Sequence, residues 1–344
     1  MTNYRVAFME GDGVGPEVAR ASRAALEALE AEFDLRFDIA PARAGDACLR
    51  ETGAALPEES VEVIRRSDAC LKGPVGETAA DVIVRLRRDL DLFANVRPVK
   101  GIPGLKCLAP WTDLVIVREN TEDLYAGLEF DVKGGAIALR VITKKASKRI
   151  AEYAFGLAES RKGKSVVAVH KSNVLRKSDG LFAKACRSVW KRHPRVSFSE
   201  MYVDAAAMNL IRSPERFDVV LTTNLYGDIL SDEASQLVGG LGLTPGANIG
   251  DRFALFEPVH GSAPDIAKRG VANPTAMLLA TAMMLEWLDF RHEDRECGRA
   301  AARLRSAVET ALRKGMRTPD LGGNRRTAEV SDFVVRQIRR PPTR

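Results

Sequence analysis

Cysteine is scarce in this chain, and the few cysteines that occur are not paired. None of the five forms a C-x-x-C motif with another, which argues against a zinc site and against a disulfide framework. We therefore expect reduced thiols that fill space in the interior. The five residues are Cys48, Cys70, Cys107, Cys186 and Cys297.

Long apolar runs are also missing. The longest, TAMLLATAMML at residues 275–285, is too short to span a bilayer as a helix. The first residues, MTNYRVAFMEGDG, lack the basic-then-apolar order of a signal peptide. These absences predict a cytoplasmic protein without a membrane partner. A length of 344 residues, with 45% hydrophobic and 28% charged side chains, is typical of a globular protein with two domains or one large α/β unit.

The positive charge of the chain lacks the features of a nucleic-acid binder. The net charge is +6, partly from the basic runs KKASKR at 144–149 and RRPPTR at 339–344. Basic residues are not interleaved with aromatic ones, so no nucleic-acid partner is expected. The phosphate loop G-x-x-x-x-G-K-[ST] is absent as well, which argues against a phosphotransferase. A small anionic substrate explains a positive cleft equally well.

The order of the apolar patterns predicts an α/β fold. YRVAFME is a short strand, and after the turn GDGVGP a helix begins near Pro16. SVVAVHKSN and FDVVLTTNL are apolar runs with polar ends, which is typical of strands covered on both faces. Because ligands gather at the carboxyl ends of strands in open α/β sheets, HKSN and TTNL are candidate site edges. The patterns also predict a helix over 78–92 and a strand over AIALRVIT, residues 136–143.

Two carboxylates lie in an otherwise apolar helical pattern, TTNLYGDILSDEASQLVGGLG at 222–242. Asp228 and Asp232 are four positions apart, so they share one face of a helix. Close carboxylates repel each other, whereas Mg²⁺ or Mn²⁺ accepts such oxygen ligands. A divalent-cation site is one interpretation, and a solvated polar stripe is the other. The apolar members of this predicted buried helix are Ile229, Leu230, Ala234, Leu237 and Val238.

Three arginines and two proton-transfer candidates are further possibilities for a site. Arg87, Arg97 and Arg118 carry planar guanidinium groups that can bind carboxylates through paired hydrogen bonds. Tyr125 could deliver a proton, and Lys171, at a predicted strand end, could act as a base. Each of these residues is unremarkable by itself, and an isolated arginine is more often a surface residue.

Two glycine-bearing segments could form a nucleotide site or could be structural turns. GDGVGPEV has Pro16 where the G-x-G-x-x-G fingerprint has its third glycine, so it is a weak signal. In HGSAPDIAKRGVANPTA, residues 260–276, backbone N–H groups could approach a pyrophosphate closely. Asp265 in this segment would accept hydrogen bonds from ribose hydroxyls and repel a 2′-phosphate, which favours NAD over NADP. Asp204, in YVDAAAMNL, could be only a helix N-cap.

Taken together, these segments resemble the β-decarboxylating dehydrogenases of isocitrate and 3-isopropylmalate. The resemblance runs over about residues 4–330 and is far more specific than any one motif. It implies a doubly wound α/β fold with a mixed sheet that is not a true Rossmann fold. It also implies a cofactor-binding domain from residues 1–97 plus 236–344, a central substrate and dimerisation domain from 98–235, and a homodimer with shared active sites. The motifs are GDGVGPEV, RLRRDLDLFANVRP, VRENTEDLYAG, HKSNVL, YVDAAAMNL, NLYGDILSDEAS, EPVHGSAPDIA, ANPTA and TPDLGG.

The resemblance also implies roles for single residues. Asp228 and Asp232, with Asp204 from the other subunit, would hold Mg²⁺ or Mn²⁺. Lys171, also from the other subunit, would take the proton of the substrate hydroxyl while hydride passes to NAD⁺, and Tyr125 would protonate the decarboxylated product. The implied substrate contacts are Ile83, Val84, Arg87, Arg97, Arg118 and Asp204. The implied cofactor contacts are Glu257, His260, Gly261, Ser262, Ala263, Pro264, Asp265, Ile266 and Asn273.

The predicted helix 78–92 should distinguish between substrates, since it faces the C3 substituent in this family. Ile83 and Val84 suit an isopropyl group, and Asp81 would repel a third carboxylate. We therefore predict that 3-isopropylmalate is converted with NAD to 2-oxo-4-methylpentanoate, as in leucine biosynthesis. NTED before Tyr125 looks closer to the isocitrate and homoisocitrate members. Isocitrate, homoisocitrate, tartrate or D-malate as substrate, and a non-catalytic regulatory subunit, stay open as alternatives.

Overall fold

The computed structural model describes residues 2–79 and 81–340, and over these residues strands alternate with helices. The strands are β1 (Thr2–Met9), β2 (Leu35–Pro41), β3 (Ala69–Lys72), β4 (Ala94–Lys100), β5 (Asp113–Glu119), β6 (Glu129–Val132), β7 (Gly135–Ala138), β8 (Ser165–His170), β9 (Ser197–Tyr202), β10 (Val219–Thr222), β11 (Pro245–Ile249) and β12 (Ala254–Pro258). The α-helices are α1 (Gly15–Glu32), α2 (Asp46–Thr52), α3 (Glu58–Arg65), α4 (Asp81–Asp89), α5 (Lys144–Ser160), α6 (Ser178–Trp190), α7 (Val203–Arg212), α8 (Asn224–Leu237), α9 (Thr275–His292), α10 (Arg295–Arg313) and α11 (Thr327–Ile338).

Ten strands form one mixed sheet in the order β2-β1-β3-β12-β11-β4-β5-β10-β8-β9. Strand β11 runs antiparallel to β12 and to β4, and β4 runs antiparallel to β5, whereas the other neighbours are parallel. The predicted α/β class with a mixed sheet is confirmed. The predicted domain boundaries, after residues 97 and 235, fall inside β4 and α8, and the division into two domains stays a prediction.

Both faces of the sheet are covered, as expected for a doubly wound fold. In β1, Val6 and Phe8 pack into one hydrophobic cluster, and Ala7 and Met9 pack into another. The first cluster includes residues of α1, α9 and α10, and the second includes residues of α3 and α4. Because successive side chains of a strand point to opposite faces, this division places helices on both sides.

The carboxyl ends of three parallel strands meet at one edge of the sheet. Thr222 of β10 is paired with Arg118 of β5 on one side and with Val169 of β8 on the other. Lys171 follows β8 directly, and α8 begins at Asn224, two residues after β10. The segments HKSN and TTNL therefore lie at a common edge, as the sequence predicts.

The predicted helix 78–92 is too long at its C-terminal end. At its start a short 3₁₀ turn covers Glu77–Ala79, α4 covers Asp81–Asp89, and Ala80 lies outside the described residues. At the other end, Asp91 adopts a positive φ of 47°, and the N–H of Leu92 bonds to the carbonyl oxygen of Arg87 at 2.9 Å. A residue in the left-handed conformation together with such a backward hydrogen bond ends a helix.

Two further local predictions are wrong. The strand expected over 136–143 is limited to β7, which forms a separate hairpin with β6. No strand of the main sheet borders this hairpin within the described residues. Ile229, expected in the buried face of α8, is 58% exposed, and it therefore lies outside the face that buries Leu230 and Ala234.

The described part of the chain contains no helix that is long and apolar enough to cross a membrane. All five cysteines are free thiols, and four of them are buried, as the sequence predicts. Burial raises the pKa of Cys70 to about 12, so this thiol stays protonated at neutral pH.

Candidate active site

A cluster of opposite charges surrounds Asp228 at the carboxyl edge of the sheet. The Tyr125 hydroxyl donates to Asp228 Oδ2 at 2.6 Å, and Arg118 donates to Oδ1. Arg97 bridges the two carboxylates of α8, with Nη2 at 3.3 Å from Asp228 Oδ1 and Nη1 at 3.0 Å from Asp232 Oδ1. Five residues from three motifs therefore lie in one contact cluster.

Arg118 reaches this cluster because the start of α8 leaves room for it. A Cβ atom at Gly227 would lie 2.6 Å from Cβ and Cγ of Arg118, so a larger residue would displace the arginine. The Arg118 Nε also donates to Asn224 Oδ1 at 2.8 Å, and its guanidinium lies 4.9 Å from the ring centre of Tyr125. These contacts fix a side chain that is 1% exposed.

The arginines set the charge of the cluster. Burial works to raise the pKa of Asp228, but Arg118 and Arg97 lower it, and the net pKa is below the ordinary value. Burial raises the pKa of Asp232, with Arg97 opposing the shift and Asp228 adding to it. Burial, and then the hydrogen bond to Asp228, raise the pKa of Tyr125. An ionised carboxylate therefore lies beside a phenol that keeps its proton.

A cleft of about 810 Å³ adjoins the cluster and is lined by apolar and charged residues. Ile83 and Val84 of α4 supply the apolar part, and Asp81 and Arg87 lie in the same lining. Burial, and then the neighbouring Arg118, lower the pKa of Arg87 to about 10, so its guanidinium remains charged at neutral pH. The cleft can therefore hold an anion that also carries a hydrocarbon group.

Asn248 of β11 links the arginines to the other half of the sheet, a role that the motifs do not indicate. Its Oδ1 accepts hydrogen bonds from Arg87 Nε at 3.1 Å and from Asn95 and Asn120 Nδ2, both at 2.9 Å. Its Nδ2 donates to Glu257 Oε1 at 2.8 Å. The only signal in the sequence is a polar residue in an apolar strand pattern.

Glu257, predicted to contact the cofactor, is buried in an ion pair. Its Oε2 lies 2.8 Å from Lys72 Nζ. Burial works to raise the pKa of Glu257, but Lys72 and Arg87 lower it to about 2. The carboxylate is therefore ionised and already satisfied by protein groups, and its predicted contact with a cofactor stays a prediction.

Lys171 and Asp204 form a pair apart from the Asp228 cluster. Lys171 Nζ lies 2.6 Å from Asp204 Oδ1. Asp204 is in the first turn of α7, after the N-cap position at Tyr202, so the N-cap interpretation is wrong. Among the described residues, no group of three His, Cys, Asp or Glu side chains could hold a metal ion. The predicted three-aspartate site requires a second subunit and stays a prediction.

The two glycine-bearing segments pack against each other. The Val14 N–H donates to the carbonyl oxygen of Ser262 at 2.8 Å. A Cβ atom at Gly13 would lie 2.0 Å from this oxygen, and φ there is +58°, so the position needs glycine. The Asp12 carboxylate accepts three backbone N–H groups from the start of α2 and the loop after β3. These contacts support a structural role for the turn at 11–16.

The segment that follows β12 is an open surface next to this turn. Ala263 has φ +40°, and a short 3₁₀ turn covers Pro264–Ile266. Asn273 is tied down by a hydrogen bond from Nδ2 to Asp320 Oδ2 at 2.9 Å, and burial lowers the pKa of His260. Their roles in cofactor binding stay predictions. The exposed or half-buried residues of the segment are Gly261, Ser262, Ala263, Pro264, Asp265 and Ile266.

The wild type is expected to lose stability as pH rises through neutrality because Glu122 ionises, and Glu122→Gln should not show this loss. Burial raises the pKa of Glu122 from 4.5 to about 7, and its Oε1 accepts the Thr143 N–H at 2.7 Å. Because the folded pKa is above the unfolded one, the associated stability is present below about pH 4.5 and is lost as pH rises through about 7. Glutamine keeps the acceptor oxygen without the charge.

The measurement is urea unfolding of both proteins at pH 5 and pH 8. The free energy of unfolding of Glu122→Gln, relative to the wild type, should rise by about 2.5 kcal/mol between these two values. Glu152→Gln is the control, because this carboxylate is exposed and pairs with Arg192 on the surface. An equal difference at both pH values would contradict the prediction.

Comparison with known proteins agrees with this geometry. The profile described as "Isocitrate/isopropylmalate dehydrogenase" matches residues 5–335. The chain is 51% identical to the 3-isopropylmalate dehydrogenase of Archaeoglobus fulgidus over 331 residues, 96% of this chain and 98% of that protein. It is 47% identical to the isocitrate/homoisocitrate dehydrogenase of Thermus thermophilus over 344 residues, 98% of this chain and 99% of that protein.

The same similarity holds in three dimensions. The crystal structure of isocitrate dehydrogenase from Methylococcus capsulatus matches with a TM-score of 0.91 at 41% sequence identity, over 98% of this chain and 100% of that chain. A family profile over nearly the whole chain and two close relatives agree with the fold and with the clustered motifs. The chain belongs to the isocitrate/isopropylmalate dehydrogenase family.

Proposed function

We propose that this protein catalyses the NAD⁺-dependent oxidative decarboxylation of 3-isopropylmalate to 2-oxo-4-methylpentanoate, a step of leucine biosynthesis. The observation that carries the proposal is the cleft in which Ile83 and Val84 lie beside Arg87, Arg118 and Asp228. A substrate with two carboxylates and one branched hydrocarbon group needs such a mixed lining. The 51% identity to the 3-isopropylmalate dehydrogenase of Archaeoglobus fulgidus supports the same substrate.

Isocitrate or homoisocitrate is the alternative substrate, favoured by the similarity to the Thermus thermophilus enzyme. Both acids carry a third carboxylate at the position of the isopropyl group. In this cleft that carboxylate would meet Asp81 and the apolar Ile83, and repulsion and desolvation disfavour it there. A single apolar contact distinguishes substrates by only about 1–3 kcal/mol, so weaker activity on other 3-substituted malates is expected.

The carboxylates of α8 suit a hard divalent cation. The side chains of Asp228 and Asp232 are 35% and 52% exposed, so their oxygens are accessible from the cleft. Mg²⁺ and Mn²⁺ prefer oxygen ligands of this kind. Asp204, contributed by the second subunit of a homodimer, would complete the set of three carboxylates.

The residues of the cleft and the cluster supply binding and proton transfer. When bound, NAD⁺ supplies a hydride acceptor, and the divalent ion supplies a Lewis acid at the substrate hydroxyl. Arg87, Arg97 and Arg118 hold the substrate carboxylates through paired hydrogen bonds. Lys171 from the second subunit accepts the hydroxyl proton. Tyr125, whose pKa is raised by burial, holds a proton for C3 after CO₂ leaves.

A homodimer is supported by apolar side chains that lack a covering element in one chain. Met208 and Ile211 of α7 are 65% and 66% exposed, Ile229 of α8 is 58% exposed, and Val174 is 65% exposed. These residues lie on the elements next to Lys171 and Asp204. Exposed apolar groups of this kind are typical of an interface, and a twofold interface at this place would carry the lysine of one subunit towards the cluster of the other.

The β6–β7 hairpin supports the same assembly. An isolated two-stranded sheet is marginally stable in water. The two strands and the residues at their ends carry five large apolar side chains, each at least 40% exposed. Contact with a second copy would cover them. The side chains are Leu128, Phe130, Val132, Ile137 and Leu139.

NAD⁺ is proposed rather than NADP⁺ because Asp265 is exposed on the segment after β12. A carboxylate accepts hydrogen bonds from both hydroxyls of a ribose, and it repels a 2′-phosphate.

The test of this function is an assay of two acids with two dinucleotides in the presence of Mg²⁺ or Mn²⁺. We expect kcat/KM for 3-isopropylmalate with NAD⁺ to exceed that for isocitrate by at least about tenfold, and NAD⁺ to exceed NADP⁺ similarly. Ile83→Ser should reduce the preference between the acids. Val63→Ser is the control. Val63 and Ile83 are both partly buried against one hydrophobic cluster, but Val63 lies outside the cleft. A preference for isocitrate would overturn the proposed substrate.

A further inference from the structure

One arginine, Arg140, lies at the meeting point of three segments that the proposed mechanism uses. Its Nε donates to Asp123 Oδ1 at 2.5 Å, and its Nη2 donates to Asp123 Oδ2 at 3.2 Å. Nη1 donates to Asp179 Oδ1, and Nη2 also donates to Thr223 Oγ1 at 2.8 Å. The ring centre of Tyr226 lies 4.8 Å from the guanidinium. The guanidinium group of Arg140 is thus bound by two carboxylates, one hydroxyl and one aromatic ring.

Two of these partners hold the segments that carry Tyr125 and Asp228. Asp123 is the N-cap of the short turn Leu124–Ala126, and its Oδ1 accepts the Leu124 N–H at 2.9 Å. Its Oδ2 accepts the N–H of Leu225, in the first turn of α8, at 3.2 Å. Thr223 is the N-cap residue of α8. The guanidinium therefore contacts the residues immediately before the tyrosine turn and before the helix of Asp228.

The third partner holds the segment that carries the lysine. Asp179 Oδ2 accepts the backbone N–H of Lys171 at 2.6 Å, while Oδ1 accepts from Arg140. Lys171 in turn pairs with Asp204. A single side chain, Asp179, therefore connects the guanidinium to the main chain of the proposed base.

The geometry around Arg140 is confined and charged. The side chains of Asp123 and Asp179 are 0% exposed, and that of Arg140 is 14% exposed. Asp123 also has φ +74° and ψ −146°, a conformation that a residue with a side chain adopts only when its surroundings hold it. Without the guanidinium, two buried carboxylates would lose their cationic partner, and the turn that carries Tyr125 would lose a constraint on its N-cap residue.

We propose that Arg140 is a positioning residue that fixes the tyrosine turn, the start of α8 and the lysine segment relative to one another. This inference rests on the roles proposed above for Tyr125 and Lys171. In a dimer with shared sites, Tyr125 serves its own site while Lys171 serves the neighbouring one. Arg140 then fixes the relative positions of the two segments, one with Tyr125 and one with Lys171, that a subunit supplies to the two sites.

A matched control is available at the opposite edge of the same sheet. Arg161 also binds two carboxylates, with Nε at 2.5 Å from Asp218 Oδ1 and Nη2 at 2.8 Å from Asp113 Oδ1. Its side chain is 20% exposed. Asp113 begins β5, so this cluster lies at the amino ends of the strands. Arg161→Lys therefore removes a similar set of contacts far from the proposed site.

The experiment compares Arg140→Lys and Arg161→Lys in the full-length protein. Both variants should lower Tm to a similar extent. Arg140→Lys should lower kcat by about 100-fold, because displacement of catalytic groups by about 1 Å has an effect of that size, with each KM within about threefold of the wild type. Arg161→Lys should leave kcat within about twofold. An equal effect of both variants on kcat would overturn the proposal.

A second measurement tests separately whether Arg140 positions Tyr125 and whether it positions Lys171. Exchange of the C3 hydrogens of 2-oxo-4-methylpentanoate with D₂O, followed by NMR, needs Tyr125 but not hydride transfer, whereas oxidation of the hydroxy acid needs Lys171. Arg140→Lys should slow both reactions together, and a fall in only one would overturn the inference. Thr223→Val is the second variant if Arg140→Lys does not fold, because it removes one neutral contact of Arg140. It should slow both reactions to a smaller extent. Unchanged rates in this variant would overturn the inference.

The outcomes also separate this inference from the proposed function. A wild-type protein that oxidises no 3-substituted malate would remove the proposed function itself. An active wild type with an unaffected Arg140→Lys variant would remove only the inference about positioning.

Discussion

Asp228→Asn is expected to lower kcat by about 10²–10³-fold. Asp228 is in contact with Arg97, Arg118 and Tyr125. Its negative charge pairs with both guanidinium groups and would bind the divalent cation. Asparagine keeps the size and one acceptor oxygen but not the charge. The measurement is kcat at saturating substrate, NAD⁺ and Mg²⁺.

The control for this substitution is Asp218→Asn. Asp218 pairs with Arg161 at the far edge of the sheet, so its loss should reduce the free energy of unfolding and leave kcat within about twofold. Excess chelator should strongly lower the activity of the wild type, because it removes the cation that Asp228 is proposed to bind. Full turnover in chelator would show that the carboxylates of α8 do not act through a cation.

Mixing two inactive variants is expected to restore activity if the sites are shared. Tyr125→Phe and Lys171→Met should each lose about 10²–10⁴-fold in kcat, the usual contribution of a proton-transfer group. In a heterodimer of the two, one site receives both defects, and the other combines an intact tyrosine with an intact lysine. After random exchange of subunits, roughly one quarter of the wild-type activity should return.

The matched control is a mixture of Lys171→Met and Asp204→Asn. These residues form an ion pair within one subunit, and both are proposed to serve the neighbouring site. In the heterodimer each site therefore receives one defect, and no recovery is expected. Recovery in this mixture, or its absence in the first although heterodimers form, would contradict the shared-site arrangement.

Much of the site follows from local patterns in the sequence. Apolar runs that end in polar residues place Arg118, Lys171 and the start of α8 at strand ends, and parallel strands bring those ends to one edge. The spacing of Asp228 and Asp232 predicts a shared helix face, and Arg97 contacts both of them. The family resemblance is confirmed by the profile match and by the close relatives.

The local errors arise where residue type permits a conformation or an exposure without determining it. The helix predicted over 78–92 ends early because Asp91 takes a left-handed conformation, which its residue type allows but does not require. Ile229 is an apolar residue on a helix, yet it is exposed, since an apolar residue type does not by itself place a side chain on the buried face of a helix. The exposed strand β7 shows the same ambiguity.

Asn248 and Arg140 escape notice in the sequence because their partners are remote. Asn248 and Arg87 are 161 residues apart, and Arg140 and Thr223 are 83 residues apart. Neither residue lies in a spacing that predicts chemistry. They are important because they are buried among charged groups, where each polar atom must find its hydrogen-bond partner within the protein.

Residue order alone was enough to establish the α/β alternation, the strand ends and the inventory of chemical groups, because periodicity and turn preferences act over a few neighbouring residues. The folded chain added the partners: Asp228 between two arginines and a tyrosine, Lys171 on Asp204, and Arg140 on Asp123 and Asp179. These pairings depend on strand order and on side chains that meet across long stretches of sequence, and no local pattern encodes either.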